Sequence, residues 1–229
     1  MNYFVTGASG FIGRRLVEKL LQRPDATVYY LALEREQPLI EQLHQRWGAG
    51  AARTIPIIGD LTQPRLGVAE ADIARLKGNV RHLFHLAAIY DLKASAEIQE
   101  KVNIQGTRNV VAFAETIEAG CFHLTSSIAA AGLYEGVFRE DMFEEAEELD
   151  HPYYRTKHES EGIVRRECSR PWRIYRPGAV VGDSRTGEMD KIDGPYYFFK
   201  LIQKVRNLLP PWMPVIGIEG GRLNLVPVH

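Results

Sequence analysis

Short apolar runs rich in β-forming residues alternate with longer stretches of helical period along most of this chain. Residues 2–6, 27–33, 55–58, 82–86, 122–125 and 173–175 read as strands, because they are brief, apolar and rich in Val, Ile, Tyr, Phe and Thr. Residues 12–22, 37–47, 69–76, 98–118 and 153–167 read as helices. In the first, Ile12, Leu16, Val17, Leu20 and Leu21 fall on one face; in the fourth, Val102, Val110, Val111, Phe113 and Ala114 supply the apolar side. Strands that alternate with helices demand a parallel sheet, and right-handed crossovers then place helices on both of its faces. The expected fold is therefore α/β, a doubly wound parallel sheet.

Composition agrees and excludes other classes. With 229 residues, 45% of them apolar and 25% charged, the chain can build a sizeable core without disulfide or metal staples. Its net charge of −1 argues against a nucleic-acid partner, which would call for a basic stripe. No run approaches the ~18 apolar residues of a membrane span, and the first residues lack the basic-then-apolar order of a signal peptide, so a cytoplasmic protein is expected. Cys121 and Cys168 are far apart and neither suggests the roughly four ligands of a zinc site; buried free thiols and no metal site are expected.

The turn after the first strand is the strongest chemical signal. Thr6-Gly7-Ala8-Ser9-Gly10-Phe11-Ile12-Gly13 closes that strand and opens the first helix. Gly7 suits the tight turn, Gly10 close approach of backbone to a pyrophosphate, and Gly13 tight packing of helix on strand. The unpaired N–H groups of the helix start would face the phosphates. The spacing is GxxGxxG rather than GxGxxG, and in this setting it predicts a Rossmann-type dinucleotide site. At the end of the second strand an acid would favour NAD and an arginine NADP. The chain reads Leu33-Glu34-Arg35-Glu36, which offers both. Arg14 and Arg35 could clamp a 2′-phosphate, so NADP(H) is favoured with NAD(H) as the alternative. Asp60, after the third strand, could accept from the adenine amino group, or serve only its turn.

Tyr153 and Lys157 form a YxxxK pair whose members share one helix face. A phenol with a pKa near 10 becomes a usable acid/base when an ammonium beside it favours phenolate. The pair follows a strand ending Thr125-Ser126-Ser127, at the sheet edge where doubly wound folds bind ligands.

At this point the chain resembles the extended short-chain dehydrogenase/reductases. The matching stretches are TGASGFIG at 6–13, GDL at 59–61, HLAA at 85–88, VNIQGT at 102–107, TSS at 125–127, YxxxK at 153–157 and YRPG at 175–178. VVGDSRTG at 180–187 and GPYYFFKLIQK at 194–204 are similar to the reductase module of bacterial fatty acyl-CoA reductases and related acyl-thioester reductases. Leu33 stands where those relatives tend to carry arginine, which weakens the NADP preference.

The resemblance implies roles. Ser127 would hydrogen-bond the substrate carbonyl, with Thr125 and Ser126 assisting. Tyr153 would donate the proton and Lys157 would tune it and hold the nicotinamide ribose. Asn103 would support a proton-relay water, or merely cap a helix kink. Gly7, Ser9, Gly10, Phe11, Ile12, Arg14, Arg35, Asp60, Leu61, Leu86, Ala87, Ala88, Pro177 and Gly178 would border the cofactor. His85 is either near the cofactor or simply a buried histidine. Tyr196, Tyr197, Phe198, Phe199 and Trp212 could line an acyl pocket, and the acidic run at 140–150 is expected to be solvated.

A dinucleotide-binding domain is thus expected over 1–176 and a partial substrate-binding region over 177–229. Relatives continue past the final Val-Pro-Val-His, so a truncated chain or one module fused to a second domain is expected. The implied activity is NADPH-dependent reduction of a fatty acyl thioester (acyl-CoA) or aldehyde. An NAD-dependent sugar-nucleotide epimerase or dehydratase and a non-catalytic dinucleotide-binding protein are the other readings. Pairing of long helices in relatives suggests a homodimer.

Overall fold

The computed structural model describes residues 1–89, 95–189, 195–208, 210 and 224–228. The chain forms two compact units, Met1–Pro177 and Gly178–His229.

In the first unit, six parallel strands take the order β3-β2-β1-β4-β5-β6. They are β1 (Asn2–Thr6), β2 (Thr27–Ala32), β3 (Thr54–Ile58), β4 (His82–His85), β5 (Phe122–Thr125) and β6 (Trp172–Tyr175). Helices α1 (Phe11–Leu21) and α2 (Gln37–Trp47) cover one face. There Val17, Leu20, Ile40, Leu43 and Trp47 pack on Tyr3, Val5, Val28 and Tyr30. Helices α3 (Glu70–Leu76), α5 (Gly106–Thr116) and α6 (Pro152–Glu167) cover the other, burying Ile73, Leu76, Val110, Phe113, Ile163 and Val164 on Phe4, Leu83, Phe122 and Leu124. Phe4 and its neighbours Tyr3 and Val5 fall into different clusters because successive strand side chains point to opposite faces. Strand order reverses between β1 and β4, where Thr6 pairs with His85. That reversal opens the crevice in which such sheets bind ligands.

The stretch expected as one helix over 98–118 is interrupted. It runs as α4 (Ala96–Gln99), a π-helical turn (Glu100–Gln105) and α5. The backbone carbonyl of Asn103 accepts from the hydroxyls of Thr107 (2.5 Å) and Ser160 (2.9 Å). Hydroxyls on a helical carbonyl are a recognised cause of such distortions. The acidic run is only partly solvated. Met142 and Phe143 are buried within it, and Phe143 stacks on His158 at 4.2 Å.

The second unit contains a two-stranded parallel pair, β7 (Ala179–Val181) with β8 (Leu225–Pro227), and helix α7 (Pro195–Leu208). Within it the Gly182 N–H donates to Tyr196 Oη at 2.7 Å. Trp212 and the side chains of Tyr197, Phe198 and Phe199, expected to line an acyl pocket, lie outside the described residues.

Candidate active site

The glycine turn is built as its sequence requires. Gly7 has φ +73°, and a Cβ there would lie 2.6 Å from the Ala87 backbone nitrogen. A Cβ on Gly13 would collide with the Gly7 carbonyl, so helix and strand touch through bare backbone. Gly10 is the N-cap of α1 and makes no side-chain cap. The amides of Phe11 and Ile12 therefore head an uncapped helix start suited to an anion. Ser9 is part-exposed within the turn, and the Arg14 guanidinium lies 5.7 Å from the centre of the Phe11 ring.

At the end of β2, the Glu36 carboxylate accepts from the Leu33 amide at 3.0 Å, while Glu34 and Arg35 are exposed. One oxygen of Asp60 accepts from the Thr62 amide (2.8 Å) and hydroxyl (2.9 Å), so this side chain braces its turn. The Leu61 carbonyl accepts from Asn109 Nδ2 at 2.7 Å, which ties the same turn to α5. The Leu86 amide donates to the Thr6 carbonyl at 3.2 Å, continuing the β1–β4 ladder past His85. Small residues next to the turn (Ala87, Ala88), an uncapped helix start and a positive-φ glycine form a cradle that fits a dinucleotide.

Beside Ala87 and Ala88 lies a cavity of about 10 Å3, the size of one water site. Asn103, Thr107, Thr125, Ser126, Lys157 and Ser160 also line it, as does His85. Lys157 is buried; its Nζ donates to the Thr125 carbonyl at 3.3 Å and lies 5.9 Å from the centre of the Tyr153 ring. Burial pulls its pKa down to about 8, against the support of Glu161 one turn later on α6. Glu161 is itself fully buried and paired with Arg176 through Nε–Oε1 (3.0 Å) and Nη2–Oε2 (2.7 Å) contacts. Arg176 also donates to the Met142 carbonyl, fastening the segment ahead of α6.

Ser127 caps a short 3-10 turn (Ile128–Ala131), its Oγ accepting from the Ala129 amide at 3.1 Å. That bond uses the oxygen as acceptor and leaves the O–H as a donor. Ser126 Oγ is buried without a hydrogen-bond partner among the described residues. Tyr153 is half-buried at the start of α6, where Pro152 is the first helical residue and His151 Nδ1 accepts from the Tyr153 amide. The Asn103 side chain bonds Ile89 through both N–H and C=O and donates to Thr156 Oγ1 at 3.3 Å. It thus joins the chain after β4 to the helix of Tyr153 and Lys157. The Pro177 carbonyl accepts from the Ile128 amide, whereas Gly178 belongs to the second unit and packs against Asn224.

His85 is the buried centre of a chain that sequence reading did not anticipate. Its Nδ1 lies 2.7 Å from Thr6 Oγ1, and its Nε2 lies 3.1 Å from Thr107 Oγ1. Thr107 donates its proton to the Asn103 carbonyl, so it must accept from His85 Nε2–H. Nδ1 then accepts from the Thr6 hydroxyl. One tautomer satisfies every member. Burial first, and Lys157 second, push the His85 pKa down to about 3 and keep the ring neutral. Thr6, Thr107, Thr156, Ser160 and Arg176 were all missed as site residues. The available signal was small hydroxyls at i+4 from Asn103 and i−1 and i+3 from Lys157.

The family model described as male sterility protein, an NAD-binding family, matches residues 5–229. The chain belongs to this family. It is thereby an extended short-chain dehydrogenase/reductase of the acyl-thioester-reductase type, the expected family and fold. Over 204 residues it is 35% identical to a component of the linear gramicidin synthase of Brevibacillus parabrevis, covering 82% of this chain and 4% of that protein. It is 28% identical to a Drosophila melanogaster protein provisionally named a fatty acyl-CoA reductase, covering 86% and 47%. The terminal R domain of the myxalamid PKS-NRPS pathway superposes with a TM-score of 0.83 at 28% identity, covering 99% of this chain and 59% of that one. The chain therefore spans only part of these relatives. A Bacillus cereus UDP-glucuronic acid 4-epimerase solved with NAD shares the fold, with a TM-score of 0.64 at 23% identity, covering 90% and 64%.

Proposed function

We propose that this family member reduces the carbonyl of an acyl thioester or aldehyde, with NADPH as donor. The observation that carries the reading is the buried Lys157 ammonium held at the carboxyl end of β5 beside the Tyr153 ring. Gly7, Gly10 and the amides of Phe11 and Ile12 would hold the pyrophosphate, and Ala87, Ala88 and Pro177 would border the rest of the cofactor. Bound there, the cofactor supplies hydride to the carbonyl carbon.

The remaining steps belong to the chain's own side chains. Ser127 O–H donates to the carbonyl oxygen as negative charge gathers on it. Tyr153 transfers its proton to that oxygen, and Lys157 stabilises the phenolate left behind. A thioester substrate thus yields a hemithioacetal, which releases thiol and aldehyde as the C–S bond breaks. The Drosophila melanogaster relative provisionally named as a fatty acyl-CoA reductase supports this substrate class.

NADP(H) is favoured on the pair Arg14 and Arg35; of the two acids at the end of β2, Glu36 is occupied by the Leu33 amide, while Glu34 is exposed beside Arg35. The 1–176 portion is read as the dinucleotide-binding domain, the remainder as part of a substrate-binding region within a longer, multidomain protein. NADPH and NADH oxidation, followed with an acyl-CoA and fatty-aldehyde panel on the whole polypeptide, tests the reading. Acyl-dependent NADPH oxidation is expected. Tightly retained NAD with sugar-nucleotide turnover would favour the epimerase reading instead.

A further inference from the structure

A second polar cluster lies at the opposite end of β4 and β5 from the catalytic residues. Leu83 pairs with Phe122, which brings the preceding residues, His82 and Cys121, alongside one another. His123 follows Cys121 by two positions, so the strand's period of two returns it to the same face. One ligand atom from each of the three lies within 4.8 Å of the others. The sequence reading finds no ligand beside Cys121; His123 stands two residues on along the same strand, and strand pairing adds His82.

We propose that His82, Cys121 and His123 form a binding site for a zinc-class cation, with a fourth position open to water. The donor set is two imidazoles and one thiol, which suits a borderline-soft metal rather than calcium or magnesium. Zinc bound to nitrogen and sulfur needs ligand atoms ~3.3–3.8 Å apart, so small side-chain rotations suffice. His82 and Cys121 are part-exposed, giving an ion access from solvent.

The surroundings prepare the ligands. His82 Nδ1 faces His123 Nε2 at 3.0 Å, and Tyr175 Oη sits 3.0 Å from His123 Nδ1. With His123 Nδ1–H donating to Tyr175, the Nε2 lone pair points at His82. A metal would take the place of the proton the two rings now share, which moves to His82 Nε2, and Tyr175 would orient the His123 ligand from behind. The His123 ring is further fixed by stacking on Phe84 at 4.3 Å. Burial, with Arg81, Arg173 and Arg23 nearby, holds the His82 pKa down; burial, His82 and Arg173 hold that of His123 at about 4. Burial pushes the Cys121 thiol up, while Arg173 and Arg81 oppose that and favour the thiolate. The same arginines repel a dication, so the site selects against ions that bring no strong bond to sulfur.

The test is a zinc chloride titration of the metal-free protein by calorimetry, paired with the alkylation rate of each cysteine. One zinc per chain is expected, with affinity falling at least 10-fold in Cys121→Ser and His123→Asn, and about 10-fold in Tyr175→Phe. Stoichiometric zinc should slow alkylation of Cys121 but not of Cys168. Absence of stoichiometric binding, binding unchanged in all three variants, or a Cys121 alkylation rate indifferent to zinc would each overturn the proposal. The alkylation arm uses the unmodified sequence and decides the matter if a variant fails to fold.

Discussion

His85 and His82 stand three residues apart on the same strand, yet one is a sealed structural pin and the other is open to solvent. An odd spacing on a strand sends them to opposite faces. His85 enters the face covered by α5 and α6, is almost wholly buried and finds a hydroxyl for each nitrogen. His82 points to the other face, where Tyr175 of β6 is more than one-third exposed, and pairs with another imidazole. Burial, more than residue type, sets what a histidine can do. The first joins the glycine turn to α5 and cannot take up a proton near neutral pH. The second has solvent access and a neighbour able to share a ligand.

The contrast is sharpest in stability. Replacing His85 with alanine removes a buried ring and takes one hydrogen-bond partner from each of two hydroxyls, which should cost about 3–5 kcal/mol in a denaturant titration. A loss comparable to that of a surface substitution would break the comparison. Acid should separate the two sites next. In the unfolded chain His85 binds a proton near 6.5, and in the folded chain only near 3. The unfolded state thus binds more protons throughout that window, and stability falls as pH drops from 6.5 toward 3, on the order of a few kcal/mol. His123, with its pKa at about 4, adds to the upper part of that limb. Stability measured against pH in His85→Gln should lose the largest single share of this histidine slope, whereas His82→Asn should lose a smaller one.

Smaller effects sharpen the wiring. Thr107→Val leaves His85 Nε2–H without an acceptor and should cost about 1–3 kcal/mol. His82→Asn without added metal should change stability by about 0.5 kcal/mol or less, as expected for a part-exposed position. A His82 effect as large as that of Thr107 would mean that the second cluster is as much a structural element as the first.

The outline of this molecule was readable because two apolar periods alternate cleanly, and the glycine turn was readable because Gly7 and Gly13 answer to local backbone geometry. Tyr153 and Lys157 were readable because their spacing is helical. The break inside the 98–118 helix was not. It depends on Ser160, fifty-seven residues away from Asn103, delivering its hydroxyl to a helical carbonyl. The Glu161–Arg176 pair and the His82–Cys121–His123 cluster were hidden for the same reason, since each forms only when the strands and helices have docked. Asp60 offered two readings, and its hydrogen bonds to Thr62 give the turn a share that spacing alone could not assign.

The central claim is that the Tyr153 phenol supplies the proton once hydride reaches the substrate carbonyl. Single-turnover oxidation of bound NADPH by an acyl thioester, compared between the whole polypeptide and its Tyr153→Phe variant, tests it most directly. A fall of about 10²–10⁴-fold in rate with NADPH affinity unchanged is predicted. A variant that oxidises NADPH at the original rate would contradict it.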